Sequence, residues 1–239
     1  MNNAILMASD ADIDIMVHGL ISYEVFGQTC WITTTHVCLL IVMIILIGFF
    51  IAANRKISQA KEVPDGFQNV VELIVEKLDG MVQSVMGVNS PKFVNYISTI
   101  FMFILMSNIS GVFGLRPPTA DYGVTFALGI MTFGTIWFNK FKHQHVSGVV
   151  KGLCEPWVFW IPINIISELA VPVSLSLRLF ANVLSGTIIM ALVYGLLGWI
   201  ATFWPSVLHV YFDLFSGAIQ TYVFCMLTMT YISQQMETD

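Results

Sequence analysis

Apolar residues fall in long runs separated by short polar segments along most of the chain. The first run, 31–53, supplies the ~20 residues that a helix needs to cross the hydrocarbon layer. Two further runs, 93–115 and 121–140, flank a tight turn in which Pro117 and Pro118 end one helix and Thr119 or Asp121 can cap the next. This pattern predicts one spanning helix followed, after a polar interval, by a membrane hairpin.

The polar interval between the first span and the hairpin has a rhythm of its own. Over 66–87 the apolar side chains recur at i, i+3, i+4 and i+7, and charged side chains fill much of the remaining surface. Such spacing places one apolar stripe on an α-helix. We therefore predict an amphipathic helix that lies along the membrane interface or docks on a neighbouring helix instead of crossing.

The C-terminal part, 157–236, contains the longest apolar stretch. From 157 to 197 it would measure about 60 Å as one helix, roughly twice the hydrocarbon thickness. Pro162 and Pro172 allow a break or a bend, and a steep tilt accommodates the remainder. A last helix is predicted at 207–232.

The composition agrees with a membrane location, because 56% of the residues are hydrophobic, only 10% are charged and the mean hydropathy is +0.79. We predict an all-α integral membrane protein that forms a single membrane domain over 1–239. It should contain about five transmembrane helices, one amphipathic interfacial helix and two long tilted C-terminal helices. The lipid bilayer is the expected environment, and nothing in the charge pattern favours nucleic-acid binding.

Charges at the ends of the apolar runs predict the orientation. The segment 1–30 is acidic, whereas Arg55 and Lys56 follow the first span, and Lys140 and Lys142 begin a loop predicted after the hairpin. Basic residues accumulate in cytoplasmic loops. We therefore expect the N-terminus outside and the C-terminus in the cytoplasm.

Arg178 is the only arginine or lysine beyond Lys151. An arginine at mid-membrane costs ~2.5 to 3.5 kcal/mol on insertion scales, so it should face protein or water and serve a function. The alternative interpretation is a structural ion pair with Glu168 or Asp213.

A polar stripe accompanies this arginine. Ser174 and Asn182 lie four residues before and after it, and Ser185 lies seven residues after it, which places all of them on one helical face. The face can line water, or its small polar residues can hydrogen-bond to another helix.

The last helix carries a second polar stripe that can face the first, formed by His209, Asp213, Ser216, Gly217 and Gln220. Asp213 can relay protons, although pairing with His209 or Arg178 explains it equally well. Glu168 and Asn164 can form another polar path at the cytoplasmic end of their helix, or can simply be interfacial.

No catalytic, metal or cofactor site is predicted. His143 and His145 have no cysteine or carboxylate near them at the spacing that metal ligands use. Nucleophilic triads, paired carboxylates and phosphate-binding glycine motifs are also missing from the water-exposed segments.

Four segments resemble the subunit a family of F-type ATP synthases, also called the ATPase subunit 6 family. The most specific is ELAVPVSLSLRLFANVLSG at 168–186, and it is accompanied by PDGFQNVVELIVE from Pro64, SNISGVFGLRPPTAD from Ser107 and QTYVFCMLTMTYIS at 220–233. Together they cover the chain from about Pro64 to Ser233.

The resemblance implies a stator subunit that forms two half-channels against a ring of c subunits and couples H⁺ or Na⁺ flow to rotation and ATP synthesis. It implies that Arg178 is the family's essential arginine, that Asn182 and Gln220 are its polar neighbours, and that Asn108 belongs to a polar site on the second span. The implied partners are the c-ring, the b-subunit stalk and the remainder of the complex, in a bacterial plasma membrane.

Two positions depart from the family pattern. Thr187 stands where many relatives carry glutamate or histidine, and Gly111 stands where some carry aspartate. This leaves Asp213 as the main carboxylate candidate for the outer half-channel. A secondary transporter with its substrate site at Arg178 is the runner-up interpretation, and a purely structural membrane anchor is a third.

Overall fold

The computed structural model describes six parts of the chain: 19–25, 28–58, 66–154, 157–197, residue 208 and 210–236. Two antiparallel strands, β1 (Gly19–Val25) and β2 (Gln28–Thr33), form a hairpin directly before the first membrane helix. This hairpin was not predicted. All other regular structure within these parts is helical, so the predicted all-α membrane architecture is confirmed, with the hairpin as an addition outside the spans.

Within the described parts, six α-helices follow the hairpin: α1 (Thr34–Ile57), α2 (Gly66–Met86), α3 (Ser90–Ile109), α4 (Tyr122–Cys154), α5 (Ile161–Leu197) and α6 (Gly217–Met236). Short 3₁₀ turns lie at Gly87–Asn89, Ser110–Phe113, Pro118–Ala120 and Val158–Trp160. A π-helical turn, Val210–Ser216, leads into α6 and is called the π segment below.

Four helical stretches within the described parts are long and apolar enough to cross a membrane: Thr34–Ile57, Gly66–Phe113, Val158–Val193 and Val210–Met236. Helix α4 is not among them, although it corresponds to the second half of the predicted hairpin. It carries polar residues on a buried face, where Thr125 and Thr132 have no exposed surface. Such a face meets other helices instead of lipid.

One sequence prediction about a helix end is wrong. The hairpin's second helix does not stop at Lys140 but continues to Cys154, so the predicted basic loop after it is helical. Helix α5 runs without interruption through Pro172. A proline lacks the N–H that would bond to the carbonyl four residues earlier, so the Glu168 carbonyl has no such donor. Residues 198–207 and 209, where the last helix was predicted to begin, lie outside the described parts.

The amphipathic helix α2 docks on its neighbours. Its buried residues Val71, Leu78, Val82 and Met86 form one stripe, and the helix contacts α3 and α6. Of the two arrangements predicted for this segment, the structure shows the docked one.

The main core lies between α2, α3, α4, α5 and α6. Its most buried large side chains include Ile97, Ile104, Leu179, Phe224 and Met229. By contrast, α1 exposes most of its apolar side chains, as a helix surrounded by lipid does.

The start of α4 is capped by Asp121, as the sequence predicts. The Asp121 carboxylate accepts a hydrogen bond of 2.9 Å from the Gly123 N–H. A side-chain oxygen placed there satisfies one of the free donors at the helix N-terminus. The alternative cap residue, Thr119, bonds elsewhere.

Helices α4 and α5 approach closely where Gly129 meets Pro172. A Cβ atom added to Gly129 would lie 2.7 Å from the Pro172 carbonyl oxygen and 3.3 Å from Ser176 Cβ. Only glycine permits this separation, which sets the distance between the helix that carries Arg178 and the bundle behind it.

Candidate functional site

Arg178 lies near the middle of α5 on its outward face. It is exposed, as are Ser174 and Ser185 on the same stripe, whereas Leu175 and Leu179 on the adjoining face are buried in the core. The apolar face therefore fixes the rotation of the helix and directs the guanidinium away from the bundle.

The Arg178 guanidinium has no ion-pair partner within the described residues. Glu168, one of the two partners considered from the sequence, pairs with Lys140 instead. The carboxyl group of Asp213, the other candidate, lies against Gly111. The structural interpretation of Arg178 as half of an ion pair therefore finds no support in the described parts of the chain.

The Lys140–Glu168 pair joins α4 to α5. The Lys140 ammonium donates to Glu168 Oε1 and lies 5.4 Å from the centroid of the Trp137 ring. Glu168 Oε2 is buried and has no hydrogen-bond partner among the described atoms. Two charges removed from lipid in this way must stay paired, because a lone buried charge is costly.

A cavity of about 50 Å³ adjoins this pair, lined by Phe133, Ile136, Trp137, Lys140, Glu168, Val171, Tyr231 and Gln235. It is large enough for a water molecule, which needs roughly 10–15 Å³ of probe volume and two or more polar partners. Glu168 thus lies where α4, α5 and α6 meet around a small cavity whose lining is mostly apolar. Along α5 it precedes Arg178 by ten residues, or about 15 Å at 1.5 Å per residue.

A hydrogen bond connects the two polar stripes. Ser216 of the π segment donates to Asn182 Oδ1 over 3.1 Å. In the same π segment, Asp213 lies so close to the 3₁₀ turn after α3 that a Cβ on Gly111 would be 3.0 Å from its Cγ. The structure therefore brings Asn182, Ser216 and Asp213 into one region, while His209 of the predicted stripe lies outside the described residues.

Asn108 and Gln220 are both buried, with 3% and 8% of their surfaces exposed. The Asn108 amide is fully engaged: Thr119 donates to its Oδ1 over 2.7 Å, and its Nδ2 donates to the Gly217 carbonyl over 3.1 Å. Gln220 Nε2, in contrast, has no acceptor within the described parts. Gln220 therefore keeps a polar group available inside the bundle, and Asn108 does not.

Sequence reasoning missed Lys140 and Thr119 as members of these networks. Lys140 looked like a loop charge at the end of an apolar run, and no local pattern indicates its pairing with Glu168. Thr119 looked like a helix cap, and no local pattern indicates its bond to Asn108.

The fold and the site define a class of protein, namely a multi-pass helical membrane protein with an exposed arginine on one helix and a carboxylate site at either end of its polar stripe. The ATP synthase A chain family matches residues 36–233, and the chain belongs to that family. The resemblance predicted from the sequence is thereby confirmed, and the chain is a membrane subunit of ATP synthase.

Individual relatives show the same similarity. The chain is 36% identical to the sodium ion specific ATP synthase subunit a of Propionigenium modestum, over 84% of this chain and 73% of that protein. It is 31% identical to ATP synthase subunit a of Limosilactobacillus reuteri, over 90% of this chain and 97% of the relative. The corresponding subunit of Moorella thermoacetica is also 31% identical, over 81% and 86%.

Proposed function

We propose that the chain is the ion-translocating stator subunit of a rotary ATP synthase and that Arg178 faces the c-ring. The observation that carries this proposal is the exposed position of Arg178 on α5, without an ion-pair partner among the described residues. A cation that no described side chain of its own subunit neutralises suits a charge supplied by another protein. The carboxylates of a c-ring are such charges.

A guanidinium fits this role because it stays protonated in proteins. It favours the charged form of each passing carboxylate, since an opposite charge within about 4–6 Å stabilises that form. It also separates two half-channels, because one charge crossing the field is worth about 2.3 kcal/mol per 100 mV and a leak would dissipate that energy.

The two carboxylate sites suit the two half-channels. Asp213, near Ser216 and Asn182, belongs to the outer path, and Glu168 beside its small cavity belongs to the cytoplasmic path. Ser174 and Gln220 complete the polar surface around Arg178. Each path carries H⁺ or Na⁺ between water and the ring.

The exposed face of α5 is the surface for the c-ring. The b-subunit stalk and the remainder of the synthase complete the assembly, in which ATP is made on other subunits. The basic end of α1, at Arg55 and Lys56, supports a cytoplasmic location for that end and an external N-terminus in a bacterial plasma membrane.

Substitutions of Arg178 test the proposal. Arg178→Lys keeps a positive charge but loses the planar fork, is more strongly hydrated and can lose its proton when desolvated. We expect ion-driven ATP synthesis in vesicles to fall at least ~tenfold, a loss of ~1.4 kcal/mol or more. Arg178→Ala should also allow passive ion flux through a complex that still assembles.

Arg55→Lys is the matched control, because Arg55 is also exposed but lies at the end of α1. Assembly is checked by co-purification of the c-ring. Near-normal synthesis in both Arg178 variants refutes the proposed role. An isolated oligomer that takes up a substrate in vesicles, without c-ring or soluble ATPase subunits, supports the transporter interpretation instead.

A further inference from the structure

The side chain of Asn108 connects the end of α3 to the beginning of α6. Its Nδ2 donates to the Gly217 carbonyl over 3.1 Å and to Thr221 Oγ1 over 3.4 Å, while its Oδ1 accepts from Thr119 over 2.7 Å. Thr119 and Thr221 are completely buried. A side chain that lines a water path keeps polar atoms free for water, but this one uses both ends of its amide inside the protein.

Gly217 is the residue at which the π segment gives way to α6. A Cβ atom on Gly217 would lie 2.8 Å from Asn108 Cβ, a separation that real Cβ atoms do not adopt. The Gly217 carbonyl also accepts a bond of 2.7 Å from Thr221 Oγ1. The transition from π-helical to α-helical winding at Gly217 is therefore held against α3 by a close contact and by hydrogen bonds.

Side chains of the π segment reach the ion-path region. π-helical turns are rare, and their wider winding points side chains in directions that a continuous α-helix would not give them. Asp213 meets Gly111, which lies three residues beyond Asn108, and Ser216 meets Asn182. If the transition from π to α winding moved along the chain, the side chains of Asp213 and Ser216 would rotate away from Gly111 and Asn182.

We propose that Asn108 is a positioning residue and not part of the channel lining. By holding Gly217, it fixes where the last helix changes winding, and so it places Asp213 against Gly111 and Ser216 against Asn182. The inference rests on the proposed function, since the group that it positions is the carboxylate assigned to the outer path.

A disulfide cross-link tests the placement without depending on activity. Gly111→Cys and Asp213→Cys are introduced together in the assembled complex, in a chain whose native cysteines are replaced by alanine: Cys30, Cys38, Cys154 and Cys225. A sulfur at the present position of Asp213 Cγ, 3.0 Å from a Cβ on Gly111, is within disulfide reach. Mild oxidation should therefore cross-link the pair efficiently.

Adding Asn108→Leu should lower the yield of this cross-link severalfold. Asn95→Leu, an exposed asparagine on the same helix, is the matched control and should leave the yield unchanged. In the chain without engineered cysteines, Asn108→Leu should also lower ion-driven ATP synthesis. An unchanged cross-link in the Asn108→Leu background overturns the inference, whatever the synthesis rate.

Two other variants disturb the same contact if Asn108→Leu prevents assembly. Thr119→Val removes the donor to Asn108 Oδ1, and Gly217→Ala places a methyl group in the contact. A lower cross-link yield in these variants supports the inference, and an unchanged yield in both overturns it. Failure of the proposed function is recognised separately, because it appears as normal synthesis in the Arg178 variants.

Discussion

Asp213 and Gly111 show how a single side chain can use space that its neighbour leaves free. All three carboxyl atoms of Asp213 lie 3.0–3.2 Å from the place where a Cβ on Gly111 would be. The absence of a side chain at 111 therefore makes room for the carboxylate at 213. A carboxylate attached at position 111, in the 3₁₀ turn after α3, would enter nearly the same space from the other side.

This geometry predicts that the two positions are coupled. Gly111→Asp should lower ion-driven ATP synthesis because it forces two carboxylates together, and Asp213→Gly should lower it by removing the carboxylate. The double variant Gly111→Asp with Asp213→Gly should recover about tenfold over either single variant, since contacting residues couple by roughly 0.5–3 kcal/mol. The measurement is synthesis in vesicles at equal complex content.

Gly114→Asp serves as the control. An added Cβ at Gly114 meets no atom within 4 Å, so this variant tests a carboxylate away from Asp213. Gly114 also adopts a positive φ, so the substitution itself adds backbone strain. Pairing it with Asp213→Gly should give no recovery. If the loss of synthesis in the double variant, expressed as a free energy, equals the sum of the losses in the two single variants, the side chains at 111 and 213 do not share one space.

At the residue scale, the sequence could identify Arg178 and its polar stripe because both depend on local spacing. It could not identify the partners. Lys140 and Glu168 are 28 residues apart, and Asn108 and Gly217 are 109 apart. Such pairs exist only after the helices have packed, so periodicity cannot predict them.

Helix α4 illustrates the same limit at the scale of an element. Its charged residues after Asn139 indicated a loop, because charges usually mark where a helix leaves the membrane. The structure continues the helix to Cys154 and buries Lys140, with 7% of its surface exposed, by pairing it with Glu168. In contrast, α2 and its apolar face were predictable because the stripe is a local pattern, whereas the choice between docking and lying along the interface needed the structure.

The close approach of α4 to α5 at Pro172 depends on one glycine. Gly129→Ala should force the helices apart, because its methyl group would lie 2.7 Å from the Pro172 carbonyl oxygen. Overpacking of this kind typically costs 1–3 kcal/mol, so we expect a loss of about 2 kcal/mol. Thermal inactivation of the purified complex in mild detergent measures it.

Gly134→Ala is the comparison on the same helix, since an added Cβ there meets no atom within 4 Å. It should leave stability unchanged or raise it by up to about 1 kcal/mol, because alanine is the better helix former. Equal destabilisation by both substitutions would show that the close approach at Pro172 does not set the helix separation.

At the scale of the whole molecule, much of the described bundle surface is apolar, and Arg178 is an exposed charge in the middle of α5. Helix α1 ends in exposed Arg55 and Lys56, and the turn between α3 and α4 exposes Leu115. If basic ends are cytoplasmic, these two places lie on opposite sides of the membrane. The orientation of the chain in the membrane follows from all of its helices together, and no single contact determines it.

Thiol labelling of intact cells checks the orientation. In a chain without native cysteines, Leu115→Cys should react with an impermeant reagent added outside, and Ser58→Cys should react only after the membrane is permeabilised. Both residues are exposed, so accessibility on their own side is comparable. Labelling of Ser58→Cys in intact cells, with Leu115→Cys protected, would mean that the chain is inverted.

The exposed Arg178 has a consequence for biogenesis. Until another protein covers the outer face of α5, the guanidinium must meet lipid or draw water into the bilayer, at about 2.5–3.5 kcal/mol on insertion scales. A newly inserted copy therefore carries this energetic cost until another protein covers the outer face of α5. If the ring covers this face, as proposed above, an unassembled copy keeps a cation in contact with hydrocarbon until the ring binds.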